Sequence, residues 1–120
     1  GQMYTEMGFD DEYFNNGYSS FTLEENLKYF KEFLEGDLIY PSFRIVGLNR
    51  KCIHILGCLL DSENNISTVY ETVLGHIDMN LRKIIEMDDS FFNSITSLKQ
   101  SHDDLGSIPF DLRLAVKESV

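Results

Sequence analysis

His54 and Cys58 stand four residues apart. On a helix this spacing puts an imidazole and a thiol on one face, one turn apart, where they could ligate a metal. A structural zinc site needs four ligands, and only these two lie close in sequence. His76 and His102 could join them only through the fold. Cys52 or Cys58 could act as a nucleophile beside a histidine base, but that chemistry needs a third group to orient the base, and the sequence identifies none. Asp61-Ser62-Glu63-Asn64-Asn65 opens like a calcium loop. Its sixth position is Ile66, where glycine is required, and its twelfth is Thr72, where a bidentate glutamate belongs. There is no G-x-S-x-G, no Walker loop, no G-x-G-x-x-G and no H-E-x-x-H. The expectation is a chain with no catalytic residues, no metal and no cofactor, and so not an enzyme.

Charge offers a different chemistry. Twenty acidic residues against ten basic ones give a formal net charge of −10. A field of that sign repels nucleic-acid phosphates and anionic membranes, and steers a basic protein inward. The doublets Asp10-Asp11-Glu12, Asp88-Asp89 and Asp103-Asp104 fall at expected helix starts or loops, where carboxylates are accessible. Beside Tyr13, Phe14 and Tyr18 they form the candidate partner-binding surface. Carboxylates there would pair with a partner's Lys and Arg, and the rings would fill apolar contacts. The plainer alternatives are that the rings tuck a terminal arm onto the core and that the acidity serves solubility.

These groups must be held by secondary structure, and the pattern reads as helical. Ile66 to Met87 is the organising stretch. Its apolar residues Ile66, Val69, Tyr70, Val73, Leu74, Ile77, Leu81, Ile84 and Ile85 follow the i, i+3, i+4, i+7 rule of one helical face, for about six turns. Thr68, Glu71, Thr72, Asp78, Asn80 and Lys83 fall on the opposite face. Thr22–Glu35 has a capping threonine, Glu24 and Glu25 in its first turn, and Leu23, Leu27, Phe30 and Leu34 at helical spacing. Gly36 can terminate it. Residues 41–61 are ambiguous. Ile45, Val46, Ile53 and Ile55 favour strand, while Ile45, Leu48, Cys52, Ile55, Leu56 and Leu59 share one helical side. Helix is the preferred reading and a β-hairpin turning near Asn49-Arg50 the alternative. Asp88-Asp89-Ser90 caps a further helix through about Gln100, and Pro109 opens a last short one. The expected fold is mostly α, a helical bundle or short helical stack, or α+β with a hairpin at about 43–60 in the alternative.

One hundred and twenty residues suit a single domain over 1–120, with 42% apolar residues for a core. Gly1-Gln2 reads as an expression scar before Met3. No apolar run approaches the roughly 20 residues that span a bilayer, and no secretory leader is apparent. Two cysteines six residues apart rise by about 9 Å on one helix, too far for a disulfide. Two free thiols imply a reducing, cytoplasmic setting.

The stretch FDDEYFNNGYSSFTLEENLKYFKEFLEGD, about a quarter of the chain, resembles the opening of CdiI-type immunity proteins of contact-dependent growth inhibition systems, in particular those against ribonuclease toxins. The resemblance implies a cytoplasmic, non-catalytic inhibitor that binds the C-terminal domain of one cognate toxin, a basic ribonuclease, one to one and occludes its active site. It implies no direct contact with nucleic acid or membrane. A second reading is an acidic helical adaptor or regulatory subunit with no toxin-inhibiting activity.

Overall fold

Val69, Val73 and Ile77 are spaced by four residues, and so are Tyr70 and Leu74. Superposed, the two series imitate a helical stripe. In the computed structural model, which describes residues 6–29, 40–63, 65–106 and 112–117, they lie on opposite faces of one strand. That strand runs Ile66–Asp78, and nearly every residue in it is buried. A strand covered on both faces shows continuous apolar character instead of alternation. In place of the organising helix expected over Ile66–Met87 stand this central strand, a turn and the short strand Lys83–Ile84.

The remaining elements are arranged around that strand. In chain order the elements are α1 (Asp11–Asn15), β1 (Tyr18–Tyr29), β2 (Tyr40–Leu48), β3 (Cys52–Leu60), β4 (Ile66–Asp78), β5 (Lys83–Ile84) and α2 (Asp89–Asp103). The sheet order is β1-β4-β3-β2, and β5 adds to the end of β4. Every pairing is antiparallel. The expected mostly helical bundle is therefore incorrect. The helix expected at Thr22–Glu35 is strand as far as Tyr29, and residues 30–35 lie outside the described residues. Residues 41–61 form the β2–β3 hairpin. At its turn, Asn49 Oδ1 accepts the N–H groups of Lys51 and Cys52, each at 2.8 Å. This side chain takes up backbone donors that the turn leaves without a strand partner. The hairpin of the alternative reading is present, turning at Asn49-Arg50-Lys51, but the helices expected around it are not, because β1 and β4 are also strands. The last helix, expected from Pro109, is described only at 112–117, where the chain is irregular.

Local signals succeed where the contacts are local. Asp10 caps α1 through the Tyr13 N–H at 3.0 Å, and Asp88 caps α2 through the Phe91 N–H at 2.8 Å. The core lies between one sheet face and these helices. Ile45, Ile53, Ile55 and Leu74 meet Met7, Phe9, Tyr13, Met87 and Ile95. Arg50 pins the start of α2: its guanidinium lies 2.8 Å from Asp89 and 4.3 Å over the Phe92 ring.

His102 ties the far part of α2 to the edge strand β2. Its Nδ1 accepts the Ile45 N–H at 2.9 Å, so that nitrogen must stay unprotonated. Burial, then the nearby Arg44, hold its pKa below the ordinary histidine value. The unfolded chain, with histidines near 6.5, then binds more protons than the native one as pH falls below about 6.5. Stability contributed by neutral His102 is present above that pH and is lost as pH drops through the native value. The urea midpoint is expected to fall between pH 7.5 and 5.5, and less steeply in His102→Gln. An identical slope in both proteins would remove His102 from the explanation.

Candidate functional site

Gly17, at φ +87°, turns the chain from α1 into β1, and the antiparallel register sets Ser20 opposite His76. Together these bring Tyr13 over the end of β4. The Tyr13 hydroxyl lies 2.8 Å from the Ser19 carbonyl and 2.8 Å from His76 Nδ1. A phenol has one proton, and the carbonyl can only accept. Tyr13 therefore donates to Ser19 and accepts from His76, which places the imidazole proton on Nδ1. Burial, then neighbouring Tyr18, raise the Tyr13 pKa, so the phenol keeps its proton. Burial lowers the His76 pKa and outweighs the opposing carboxylates of Asp88 and Asp78. The ring is neutral at pH 7. His76 is only 3% exposed, and its Nε2 has no hydrogen-bond partner among the described residues.

A cleft of about 380 Å³ opens beside this pair. Tyr13, Tyr18, His76 and Phe91 line it, and Asp10, Glu12 and Asp88 place carboxylates around it. The rings pack on one another, with Tyr13 stacked on Phe91 at 4.9 Å and Tyr18 tilted against His76 at 4.9 Å. Among the described residues, no Lys or Arg is part of the lining.

The structure gathers some of the expected partner-binding residues and scatters others. Asp10, Glu12, Tyr13, Tyr18 and Asp88 meet at the cleft. Tyr13 is 5% exposed and belongs to the core. Asp11 is exposed on α1, and Phe14 beside it is 50% exposed outside the cleft lining. Asp89 pairs with Arg50, Asp103 pairs with Lys99 at 2.8 Å, and Asp104 accepts from Gln100 Nε2 at 3.1 Å. These last two sit at the other end of α2 from the cleft. The expected convergence of all the doublets into one acidic face does not occur.

Two groups escaped sequence reasoning. His76 carried no spacing signal, since its partner Tyr13 is 63 residues away. The second is a buried pair on β3 and β4. Glu71 Oε2 lies 2.9 Å from His54 Nε2, and each residue is 2% exposed. The same carboxylate accepts the N–H groups of Arg113 at 2.7 Å and Leu114 at 3.0 Å. Burial alone would raise the Glu71 pKa, but these donors outweigh it and hold the carboxyl below its usual range. Glu71 fastens the segment 112–117 to the sheet. His54 is thus committed to Glu71 and is not paired with Cys58 toward a metal. Among the described residues, no group of three His, Cys, Asp or Glu side chains could hold a metal ion. Cys52 and Cys58 are free thiols, both raised in pKa, chiefly by burial, and so poorly suited as nucleophiles.

Residues 1–95 match the family model of the thioesterase-like superfamily. The chain belongs to the thioesterase-like superfamily. Among solved structures, this thioesterase-like chain is similar to a hypothetical Staphylococcus aureus protein determined in complex with CoA. The TM-score is 0.80 at 22% identity, over 98% of this chain and 72% of that one. It is also similar to a DHNA-CoA thioesterase from Staphylococcus aureus, with a TM-score of 0.73 at 17% identity, over 89% of this chain and 74% of that one. These likenesses establish the hotdog fold of thioesterases. A curated relative from Rhizobium sp, an L-carnitine dehydrogenase/betainyl-CoA thioesterase, is 21% identical over 98 residues. The alignment takes in 80% of this chain but only 20% of that protein's length.

Membership in this superfamily overturns the functional expectations from sequence. The resemblance of residues 9–37 to CdiI-type immunity proteins was misleading, because that stretch lies wholly inside the thioesterase-like match and its described part builds α1 and β1. The toxin partner, the occlusion mechanism, the helical adaptor and the non-enzymatic reading fall with it. Among the described residues, no helix is long and apolar enough to cross a membrane.

Proposed function

We propose that this protein hydrolyses an acyl-CoA thioester, with the acyl end in the cleft beside His76. The superfamily match over residues 1–95 carries this reading. The cleft adds a place for the chemistry, since it combines a buried neutral imidazole with aromatic walls.

Charge distribution orients the substrate. Asp10, Glu12 and Asp88 surround the cleft without a compensating cation among the described residues of its lining. CoA phosphates are repelled there, whereas a cationic acyl group is attracted and can lie against ring faces. Four of the ten basic residues stand at the end of the sheet to which His76 belongs, outside the described lining of the cleft. Arg50 and Lys51 form the β2–β3 turn, and Arg82 and Lys83 follow β4. Hydrogen bonds from the Met87 N–H to the Arg50 carbonyl and from the His76 N–H to the Lys51 carbonyl hold that turn against this end. Arg50 is engaged with Asp89, so we assign the nucleotide phosphates of CoA to Lys51, Arg82 and Lys83, which suit phosphate as charged donors. The relative named for betainyl-CoA supports the cationic acyl group, because a betainyl group ends in a quaternary ammonium. The two free thiols accord with action in the cytoplasm.

Release of free CoA thiol from a panel of acyl-CoA esters tests the proposal. Betainyl-CoA is expected to exceed succinyl-CoA in kcat/KM by at least about tenfold, roughly 1.4 kcal/mol of discrimination. Preference for the anionic acyl group would displace the acyl end from this cleft. No hydrolysis of any ester would overturn the thioesterase reading.

A further inference from the structure

His76 lines the cleft, and its Nε2 stands out as a buried side-chain nitrogen with no partner among the described residues. Buried polar atoms are almost always hydrogen-bonded, so an orphan at a cleft wall points to a ligand or reactant that completes it. Its protonation state is set by the neighbours. Tyr13 spends its one proton on the Ser19 carbonyl, so His76 must carry its own proton on Nδ1. Nε2 is left as a bare lone pair. It can accept a proton and has none to give.

We propose that His76 Nε2 is the general base for the attacking water, with Tyr13 as the positioning residue that fixes the tautomer. This rests on the thioesterase reading. In the first step Nε2 takes a proton from water as the water oxygen bonds to the thioester carbonyl carbon. The imidazolium that forms is stabilised by the Tyr13 oxygen on Nδ1–H and by the nearby carboxylates of Asp88 and Asp78. In the second step the tetrahedral intermediate re-forms its carbonyl, the C–S bond breaks with its electron pair on sulfur, and the thiolate recovers the proton from Nε2–H. The balance is thioester plus water to carboxylic acid plus thiol, and His76 ends as it began.

The other groups with exchangeable protons at the centre are unsuited to this step. Tyr13 is a raised phenol with its proton committed. Asp10 and Asp88 are each committed to a backbone N–H as helix caps, and Glu12, the third carboxylate of the lining, is exposed. The lowered pKa of His76 keeps Nε2 unprotonated at neutral pH, which is the state a base requires.

The test uses the intact protein and His76→Asn, whose amide N–H can still reach the Tyr13 oxygen. The variant is expected to lose about 10²–10⁴-fold in kcat, the usual contribution of a general base. Its affinity for an S-alkyl thioether analogue of CoA is expected to stay within about threefold. The acid limb of the wild-type pH–kcat profile, centred below the ordinary histidine value, is expected to vanish. More than a tenth of wild-type kcat, or an acid limb that persists, would overturn the assignment. If His76→Asn does not fold, nitrogen NMR of the wild-type ring decides the matter at pH 7. A neutral ring protonated on Nδ1 supports the base, and a proton on Nε2 overturns it. An inactive wild-type protein would bring down the thioesterase reading and this role together, an outcome distinct from an active wild type with an equally active variant.

Discussion

Glu71→Ala is expected to destabilise the protein by about 3–5 kcal/mol, the range for breaking a buried charge-assisted cluster by removing one member. The carboxylate serves three donors at once, the His54 ring and the N–H groups of Arg113 and Leu114. Alanine leaves all three without an acceptor in a site where both side chains are nearly inaccessible. Urea unfolding monitored by fluorescence gives the magnitude. Hydrogen exchange gives the location, since the Arg113 and Leu114 amides should lose protection ahead of the β3 and β4 amides. Glu71→Gln keeps one acceptor oxygen and should fall between. A loss below about 1 kcal/mol, with unchanged protection at 113 and 114, would show that the segment is held by other contacts.

Gly57→Val is expected to cost about 3 kcal/mol, near the upper end for overpacking. Gly57 and Tyr70 face each other across the β3–β4 ladder, and the Tyr70 ring occupies the space any Cβ on residue 57 would need. The backbone of Gly57 is ordinary strand, so the requirement for glycine is one of space and not of dihedral angle. Tyr70→Ala should therefore relieve the valine. The double variant is expected to be more stable than the sum of the two single losses by about 0.5–3 kcal/mol. Strict additivity would mean that the ring moves aside freely.

The legible parts of this fold are those decided within a few residues. Asp88 caps α2 as its sequence context indicates, and Asp10 does the same for α1. Strand identity was hidden because burial is two-sided. In β4, Val73 and Leu74 are adjacent yet serve opposite faces, and Glu71, on the polar side of any helical wheel, is among the least exposed residues. In β1 Leu23 is the extra residue of a bulge between Thr22 and Glu24, which breaks the two-residue alternation there. The site shows the same division. The acidic and aromatic character around Asp10, Tyr13 and Tyr18 is readable from composition. Its centre, His76, depends on a register between strands that pair Tyr18 with Asp78, and no local pattern encodes that.

That pairing has a consequence during synthesis. β1 hydrogen-bonds only to β4 among the described strands, and the innermost pair, Tyr29 with Thr68, still spans 39 residues. As the chain emerges N-terminus first, β1 must wait for almost the whole of β2, β3 and β4. At about 5–20 residues per second, the roughly fifty residues from Tyr29 to Asp78 take several seconds. Throughout that interval Phe21, Leu23 and Leu27 ride on an unpaired strand with both hydrogen-bonding edges open. Nascent copies on neighbouring ribosomes are then each other's nearest alternative partners, so yield should depend on translation density more steeply than the stability of the finished fold suggests.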